Sequence, residues 1–342
     1  MVAESGAGLP VERFLGHMGM FSLNHLCVHL RNNWMRARGG LETERCVVSD
    51  AVEFLNDIPD EYAGLYSLVP QARVQELLET RDPRYRAVLS HWKGCGNGAL
   101  LCERVVDHLL AAHPERFRYF DHTPVERVSL GAQEAELSAL GYRIECARVV
   151  LCTNGFVDHV VENRDGEDIP TPLRHRVSGS VGYMAALVEP TPQPPAAVSY
   201  LASPRIGHGQ AYFYVTRRPF EIGGRPATLT CIGGPDAWLD DRSEYRADAT
   251  YPDERLAQLD GFIRPILAPE RAEPLAYAYT WHGLMAYTPS QVRLIGPEPK
   301  NPVLLYNLGC NGVGFLPSIY GGHRLARIVA GEILAPSLFD PT

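Results

Sequence analysis

The chain has 342 residues, of which 45% are hydrophobic and 21% charged, a composition typical of a globular protein long enough for two domains. Its 32 basic and 40 acidic residues give a formal net charge of −8, and no block of Lys and Arg occurs. These values exclude collagen-like, coiled-coil and disordered proteins, and they argue against nucleic acid as a partner.

The N-terminal segment shows no targeting pattern. Residues 1–5 read MVAES, without a basic region followed by an apolar one, and no window approaches 18 uninterrupted apolar residues. The eight cysteines stand singly, with no C-x-x-C pair. The sequence therefore predicts a cytoplasmic protein with reduced cysteines and no transmembrane segment.

Residues 11–38 carry apolar side chains at a helical spacing, which Gly39 and Gly40 end. We therefore predict that the chain begins with a helix. His25 and His29 lie four residues apart on it, a spacing that can chelate a metal, but no third ligand or H-E-x-x-H motif accompanies them. A packed or solvated helix face is the simpler interpretation, and we predict no metal site.

From residue 117 apolar and polar side chains alternate in FRYFD, VERVSL, EAELSAL and YRIEC, with glycines in the turns. This pattern predicts a small antiparallel meander. The apolar run 148–152 follows directly, and its β-branched residues are typical of a strand buried in a parallel sheet. Because Thr153, Asn154 and Gly155 turn the chain after this strand, the turn is a candidate ligand platform.

The middle of the chain predicts a domain boundary followed by a second sheet. Prolines cluster at 170–172 and 190–195, where extended geometry favours a crossing between domains. The aromatic and β-branched runs 211–217 and 227–234 predict strands of an antiparallel sheet. Residues 253–267 then place apolar side chains on one helical face.

The last 40 residues predict a strand, a glycine-rich loop and a helix. Residues 303–308 are an apolar run, 309–317 read GCNGVGFLP, and 319–334 resume helical spacing. Glycines let the backbone approach a ligand, and a helix N-terminus offers N–H groups and partial positive charge to an electron-rich group. A structural turn without a ligand is an equal alternative for such a loop alone.

Three segments in a fixed order resemble one family. Residues 147–155 (ARVVLCTNG) are similar to its strand ending in Ala/Thr-Asn/Gly-Gly, and 280–299 (TWHGLMAYTPSQVRLIGPEP) resemble its W-x-G-x-x-x-x-T-P…I-G-P segment. Residues 304–332 (LLYNLGCNGVGFLPSIYGGHRLARIVAGE) resemble its flavin-facing loop and helix. Together they resemble the FAD-dependent oxidoreductases of the D-amino-acid oxidase (DAO) superfamily, which includes sarcosine, glycine and amine oxidases and dehydrogenases.

The resemblance implies an α/β (α+β) fold, in which a Rossmann-like FAD-binding domain is interleaved with an antiparallel-sheet substrate domain. It assigns residues 1–48, 96–172 and 286–342 to the FAD-binding domain. The substrate domain would then comprise residues 49–95 and 173–285. The implied cofactor is FAD.

Roles of individual residues also follow from the resemblance. The residues that would line the flavin are Gly309, Asn311, Gly312, Gly314, Phe315 and Leu316. Thr153, Asn154 and Gly155 would lie by the phosphate and ribose of the cofactor. Val125 matches the position whose backbone meets the adenine.

Trp281, His282 and Tyr287 are the candidate catalytic residues. The rings of Trp281 and Tyr287 would form the aromatic wall of the substrate pocket, and His282 and Tyr287 would assist deprotonation of the amine. Buried aromatic residues and histidines of this kind are more often structural, so that alternative stays open.

The family's FAD site begins with a strand and a G-x-G-x-x-G motif near the N-terminus, and this sequence has no such segment. The chain therefore resembles a family member that begins one βαβ unit late. A start downstream of the true one is the favoured explanation, and a unit supplied by another polypeptide or a degenerate paralogue are the alternatives. On each of these readings we expect the chain alone to bind FAD poorly and to be unstable.

Four other positions depart from the family pattern. Leu316 stands where several relatives place a Lys that pairs with the substrate carboxylate, which favours an amine or a remotely substituted amino acid unless Arg205, Arg217 or Arg218 replaces it. Met285 stands at or near a flavin-attaching Cys of some relatives, so we expect FAD to be non-covalent. The positions of Ser290 and Arg293 are often Asp and Pro in the family.

The implied reaction removes hydride from the carbon next to a neutral amine nitrogen, giving an imine that water hydrolyses. The electrons would pass to oxygen or another acceptor. The alternative is a non-catalytic family member that binds a partner chain through an open sheet edge. A hydrolase finds little support, because the sequence has no G-x-S-x-G motif.

Overall fold

The computed structural model describes residues 11–156, 159–169, 177–203, 212–239 and 244–341. The strands are β1 (Glu12–Met20), β2 (Arg45–Ser49), β3 (Ser67–Val69), β4 (Ala87–Cys95), β5 (Val125–Leu130), β6 (Ala135–Ala139), β7 (Tyr142–Cys146), β8 (Val149–Leu151), β9 (Val160–Asn163), β10 (Ser178–Glu189), β11 (Ala196–Leu201), β12 (Tyr212–Ile222), β13 (Arg225–Gly233), β14 (Ala237–Trp238), β15 (Tyr279–Tyr287), β16 (Leu294–Glu298) and β17 (Asn301–Leu308). The α-helices are α1 (Leu23–Arg38), α2 (Gln71–Leu77), α3 (Gly98–Ala112), α4 (Asp253–Leu267) and α5 (Phe315–Val329). Short 3₁₀ turns lie at Leu55–Asp57 and Asp60–Tyr62. The mixed α/β fold class is confirmed.

The chain separates into two compact units. Unit 1 comprises Met1–Arg118, Tyr183–Asp236 and Thr250–Trp281, and unit 2 comprises Tyr119–Gly182, Ala237–Ala249 and His282–Thr342. Strands β10 and β15 each contribute residues to both units.

Unit 1 is built on one large sheet. Its strands lie in the order β13, β12, β11, β1, β4, β2 and β3, and residues 184–189 of β10 pair with β13. Strand β1 is central, since it pairs antiparallel with β4 and parallel with β11. Strands β12 and β13 pair antiparallel, which confirms the sheet predicted from 211–217 and 227–234 over their described residues.

Helices cover the apolar side chains of this sheet. Leu26 and Leu30 of α1 are fully buried, and they pack in one cluster with Met20 of β1. The predicted helix over 253–267 is confirmed as α4. Its Phe262 stacks on Phe213 of β12 with ring centroids 3.9 Å apart, which fixes α4 on the sheet.

The prediction that the chain begins with a helix over 11–38 is wrong in its first part. Residues 12–20 form β1, and the helix begins at Leu23 with Ser22 as its N-cap. Glycine is a poor helix former, and Gly16 and Gly19 fall in this segment. A Cβ at Gly19 would lie 2.8 Å from Leu78 Cδ1, so the glycine permits close packing against the sheet.

Unit 2 contains two smaller sheets. In one, the order is β16, β17, β8, with β17 parallel to β8 and antiparallel to β16. In the other, β5, β6 and β7 form the predicted antiparallel meander, and β9 adds parallel to β5. Buried apolar side chains from both sheets form one core; they are Val128, Leu130, Ala135, Val149, Leu151, Val161, Val303, Leu304, Tyr306 and Leu308.

Helix α5 packs on the β16–β17 pair through Leu325, which contacts Ile295 and Leu305. The tail that follows the helix is held to unit 2 as well. The Ile295 N–H donates to the Phe339 carbonyl at 2.8 Å, and Arg324 Nη2 lies 2.6 Å from the Asp340 carboxylate.

Three boundaries differ from the sequence prediction. FRYFD is not a strand, because the Phe117 N–H donates to the His113 carbonyl at 2.8 Å and continues the turn that ends α3. Helix α5 ends at Val329 rather than near 334, since Gly331 adopts a left-handed φ of 87°. The prolines at 190–195 lie inside unit 1 and not at a crossing, while 170–172 lie outside the described residues.

His25 of α1 is held by packing and a hydrogen bond. His25 is buried, and its Nε2 lies 2.8 Å from the Ser203 carbonyl oxygen. Within the described ranges no group of three or more His, Cys, Asp or Glu could hold a metal ion. No helix in the same ranges is long and apolar enough to span a membrane.

Candidate functional site

Two predicted ligand-binding segments meet at one edge of the β16–β17–β8 sheet. Strands β8 and β17 are parallel neighbours, with Leu151 opposite Tyr306, so their carboxyl ends lie at the same edge. The turn 152–156 follows β8, and the glycine-rich loop 309–314 follows β17. Ligands of open α/β sheets bind outside the carboxyl ends of the strands.

Asn154 fixes the first of these turns. It adopts a left-handed φ of 52°, a conformation that asparagine tolerates better than most residues. Its Nδ2 donates to the Leu284 carbonyl at 2.9 Å, and its Oδ1 accepts from the Ala286 N–H at 3.2 Å. The turn after β8 is therefore bonded to strand β15.

Asn311 fixes the glycine-rich loop in the same way. Its φ is 47°, its N–H donates to the Ala286 carbonyl at 2.9 Å, and its Oδ1 accepts from the Thr288 N–H at 2.9 Å. Asn154 and Asn311 thus hold the two loops to one backbone segment, residues 284–288. The sequence predicted both as site residues, but not that they share an anchor.

The glycines of the loop keep its surface bare. Gly309 and Gly312 have φ values of 84° and 75°, which disfavour any side chain. A Cβ at Gly309 would lie 2.6 Å from Thr288 Cγ2, and one at Gly312 would lie 3.1 Å from the Tyr287 Oη. The two glycines therefore let the loop backbone lie close to Thr288 and Tyr287.

Helix α5 begins directly after this loop. Its N-cap is Gly314, which makes no side-chain cap, so the helix itself leaves its first N–H groups unpaired. Val313 and Leu316 are 71% and 75% exposed, and Phe315 is 49% exposed. The loop and the first turn thus combine N–H donors with an exposed apolar surface.

Arg293 lies beneath this loop. Its side chain is buried, Nε donates to Asn307 Oδ1 at 2.6 Å, and Nη2 donates to the Asn307 carbonyl at 2.8 Å. Nη1 reaches the Gly309 carbonyl at 3.4 Å. Burial lowers the pKa of Arg293, because these neutral acceptors only partly replace water. The sequence showed only that Arg293 departs from the family pattern.

An aromatic pair lies beside the loop. The rings of Trp238, from β14, and Tyr287, at the end of β15, have centroids 4.9 Å apart. Trp281 is on the same face of β15 as Tyr287, because residues six apart on a strand point the same way. Sequence reasoning found Trp281 and Tyr287 but missed Trp238, which no motif marks.

His282 points to the opposite face of β15. Its Nε2 lies 2.9 Å from the Ala249 carbonyl oxygen, and its Nδ1 lies 3.2 Å from the Tyr245 hydroxyl. Since a carbonyl oxygen only accepts, Nε2 carries the proton and Nδ1 accepts from Tyr245. Tyr245 also packs edge-on against Phe156, so the segment 245–249 contacts both β15 and the turn after β8.

Of the remaining predicted residues, Gly155 and Thr153 lie at this edge of the sheet, and Val125 lies in the meander sheet. Gly155 abuts β15, since a Cβ there would lie 2.8 Å from Leu284 Cγ. Thr153 has a buried Oγ1 without a hydrogen-bond partner among the described residues. Val125 begins β5 in the meander sheet, opposite Ala139, and is 38% exposed.

Comparisons with known proteins identify the class. A model of the FAD-dependent oxidoreductase family DAO matches residues 25–328, and the chain therefore belongs to this family of flavoenzymes. It is an oxidoreductase whose cofactor is FAD. No curated protein matches it in a sequence search.

Solved structures share the fold. L-proline dehydrogenase from P. horikoshii has a TM-score of 0.63 and 15% identity, over 99% of this chain and 78% of that one. Glycine oxidase from Bacillus cereus ATCC 14579 has a TM-score of 0.61 and 14% identity, over 96% and 76%. NikD, an amino acid oxidase essential for nikkomycin biosynthesis, has a TM-score of 0.60 and 14% identity, over 96% and 86%.

The residues at the sheet edge fit a flavin. The unpartnered Thr153 Oγ1 offers a polar group to a ligand, and the loop 309–314 carries no side chain at Gly309, Gly312 and Gly314. The first N–H groups of α5 suit an electron-rich atom, and Val313 and Leu316 suit the apolar part of the ring. These groups are the ones that would hold the cofactor.

Proposed function

We propose that the chain oxidises the C–N bond of an amine or amino acid to an imine, using non-covalently bound FAD. The carbon next to the nitrogen loses a hydride, the nitrogen lone pair forms the C=N bond, and water then hydrolyses the imine to a carbonyl compound and a free amine. FAD supplies the two-electron acceptor when it is bound.

The convergence of the two loops on residues 284–288 carries this proposal. Asn154 and Asn311 hold the turn after β8 and the glycine-rich loop against β15, and the Trp238–Tyr287 pair lies beside the loop. Such an arrangement presents a ring-binding surface and an aromatic wall together. Support for the cofactor comes from family membership, and support for these residue roles comes from the geometry.

The chain's own residues orient the reactants. The N–H groups at the start of α5 would stabilise negative charge on the bound ring, and Thr153, Asn154 and Gly155 would face the ribose and phosphate. Gly309, Asn311, Gly312, Gly314, Phe315 and Leu316 would line the ring, and Val125 would meet the adenine. Tyr287 and Trp281 would wall the substrate and exclude water.

The contacts of His282 favour proton transfer less than those of Tyr287 do. Because Nε2 donates to Ala249 and Nδ1 accepts from Tyr245, neither ring nitrogen is directed at a substrate. We therefore propose a positioning function for His282 and retain Tyr287 as the group that assists deprotonation of the amine.

The substrate class follows from the charges available. Leu316 cannot pair with a carboxylate, and Arg217 already forms a salt bridge with Glu79. Arg218 donates to Thr216 Oγ1 at 3.2 Å and its buried Nε lacks a partner among the described residues, while Arg205 lies outside them. We propose an amine, or an amino acid substituted far from its carboxylate.

Other sequence-based assignments remain proposals. They are the domain boundaries, with 1–48, 96–172 and 286–342 binding FAD and 49–95 and 173–285 binding substrate; oxygen or another acceptor for the electrons; and a cytoplasmic location. The eight cysteines are free thiols in the structure.

An anaerobic titration tests the proposal. The full chain is mixed with FAD, its absorbance between 350 and 500 nm is recorded, and a panel of primary amines, secondary amines and amino acids is added. Bound flavin that is bleached by an amine supports the function, and bleaching only by free α-amino acids overturns the substrate class. Bound flavin that no C–N substrate reduces contradicts the proposed reaction. Because the chain alone is expected to bind FAD poorly, a version extended upstream is titrated as well. Absence of flavin from both versions contradicts the cofactor site and favours the partner-binding alternative.

A further inference from the structure

Arg293 is unusual among the arginines of unit 2. It is 9% exposed, and its hydrogen bonds go to an amide oxygen and two backbone carbonyls. In the described residues no carboxylate pairs with it, whereas the comparably buried Arg324 pairs with Asp340 at 2.6 Å. A buried guanidinium normally requires a negative partner, because neutral acceptors do not repay its desolvation.

The position of this charge is set by its bonds to the sheet edge. Asn307 is the penultimate residue of β17, and Gly309 opens the glycine-rich loop. A Cβ at Gly309 would lie 3.8 Å from Arg293 Cα, so the loop rests directly on Arg293. The guanidinium therefore lies against the start of the glycine-rich loop.

We propose that Arg293 is a positioning residue for the cofactor site, which holds the Gly309 carbonyl and places an uncompensated positive charge beneath the loop that faces the flavin. This inference rests on the proposed function. Two-electron reduction with uptake of one proton adds one negative charge to the ring. A fixed positive charge nearby favours that form over the oxidised form, so Arg293 raises the reduction potential of bound FAD.

The bonds to Asn307 make the charge adjustable without removing the arginine. Asn307 Oδ1 accepts from Arg293 Nε, and Asn307 Nδ2 donates to the Ser318 carbonyl at 3.1 Å. An Asn307→Asp substitution keeps the size of the side chain and places a carboxylate against the guanidinium. It neutralises the charge of Arg293 and leaves the bond from Arg293 to the Gly309 carbonyl in place, but it removes the bond from Asn307 Nδ2 to the Ser318 carbonyl.

The test is the midpoint potential of FAD bound to the full chain, measured for the wild type and for the variants R293K, R293Q and N307D. We expect R293Q and N307D to lower the affinity for reduced FAD relative to oxidised FAD about tenfold, which is about 30 mV for a two-electron couple. R293K keeps the charge, so its potential is expected to stay close to that of the wild type even if the weaker hydrogen bonds lower the stability.

The matched control is the double variant R324Q/D340N, which removes a compensated ion pair from the same unit and is expected to leave the potential unchanged. If R293Q does not fold, the midpoint potential of FAD bound to N307D tests the inference alone. If FAD bound to N307D and to R293Q has the same midpoint potential as in the wild type, the inference is overturned but the proposed function is not. A shift of equal size in R293K also overturns it, because geometry and not charge would then be responsible. Absence of flavin from the wild-type chain and from a version extended upstream overturns both.

Discussion

Asn154 and Asn311 bind the same residue from two loops: the Ala286 N–H donates to Asn154 Oδ1 at 3.2 Å, and the Ala286 carbonyl accepts the Asn311 N–H at 2.9 Å. Both asparagines have left-handed backbones. The two segments that follow β8 and β17 are therefore fixed relative to each other through a third strand, β15. The geometry of the candidate flavin surface depends on this shared anchor.

Replacing either asparagine is expected to destabilise unit 2. Asn154→Ala leaves the Ala286 N–H unpaired and places alanine at a φ of 52°, which together cost about 2–4 kcal/mol. Asn154→Gly loses the same hydrogen bonds, but glycine adopts a positive φ without strain. Its loss of unfolding free energy is therefore expected to be about 1–2 kcal/mol smaller than that of Asn154→Ala. Urea denaturation of both variants measures the difference.

The shared anchor also predicts coupling. The double variant N154G/N311G is expected to deviate from the sum of the single variants by about 0.5–3 kcal/mol, because both act on residues 284–288. Additive free energies of unfolding would show that the two loops are held independently.

Gly312 is expected to control access of the cofactor. Gly312→Ala introduces a Cβ 3.1 Å from the Tyr287 Oη at a φ of 75°, so the loop or the Tyr287 ring must shift. We expect FAD to bind at least about tenfold more weakly, or about 1.4 kcal/mol. Gly141→Ala is the control, since its φ is 80° and its added Cβ meets nothing within 4 Å. Equal FAD affinities in the two variants would contradict a function of Gly312 at the cofactor surface.

His282→Gln tests the structural interpretation of this histidine. Both ring nitrogens are engaged, with the Tyr245 hydroxyl and the Ala249 carbonyl. We expect kcat/KM to change little and the free energy of unfolding to fall by about 1–3 kcal/mol. Tyr245→Phe removes one of the same bonds and is expected to show a smaller loss. A large fall in kcat with unchanged stability would instead make His282 a proton-transfer residue.

The sequence predicted those elements whose local pattern and tertiary setting agree. Helix α4 matches its periodic apolar face, and β8 and β17 match short apolar runs. The error over residues 12–20 has the opposite cause. Phe14, Leu15 and Met18 are spaced as in a helix, but Gly16 and Gly19 pack against Lys93, Leu78 and Tyr85 of unit 1, and pairing with β4 decides the conformation.

The candidate site was predictable where a motif marks it and not where contacts make it. Asn154, Gly309 and Gly312 stand in family-like segments, and the sequence predicts them as site residues. Trp238 and Arg293 stand in no motif. Trp238 belongs to the candidate site because β14 brings it against Tyr287, and Arg293 belongs to it because its side chain is buried against Gly309. Such pairings between distant segments have no local signal in one sequence.

Stability is expected to fall as the pH is lowered through the histidine range. Burial lowers the pKa of His17, His25, His29 and His91 below the ordinary value of 6.5, so the unfolded chain binds more protons than the folded one. The stability that comes from keeping these histidines neutral is therefore complete above pH 6.5 and is lost progressively as the pH falls below 6.5. Urea midpoints at pH 7.5, 6.5 and 5.5 measure the slope.

His25→Gln is expected to reduce this slope, because one buried titrating ring is removed while an amide can still donate to Ser203. His113→Gln, at an exposed position, is the control for the substitution itself. A slope that is the same in H25Q and in the wild type would contradict the contribution of His25.

Alanine substitutions at two adjacent glycines of α5 are expected to change stability in opposite directions. A Cβ at Gly321 would overlap the side-chain amide of Asn307, whereas a Cβ at Gly322 meets nothing within 4 Å. Gly322→Ala is therefore expected to stabilise the protein by about 0.5–1 kcal/mol, the ordinary gain of alanine over glycine inside a helix. Gly321→Ala offers the same local gain but pushes α5 away from β17, and we expect a net loss of about 1–3 kcal/mol. Because Asn307 also binds Arg293, displacement of its amide should lower the affinity for FAD in G321A alone. Thermal unfolding with and without FAD separates the two effects, and a stabilised G321A would show that α5 does not pack on Asn307 as described.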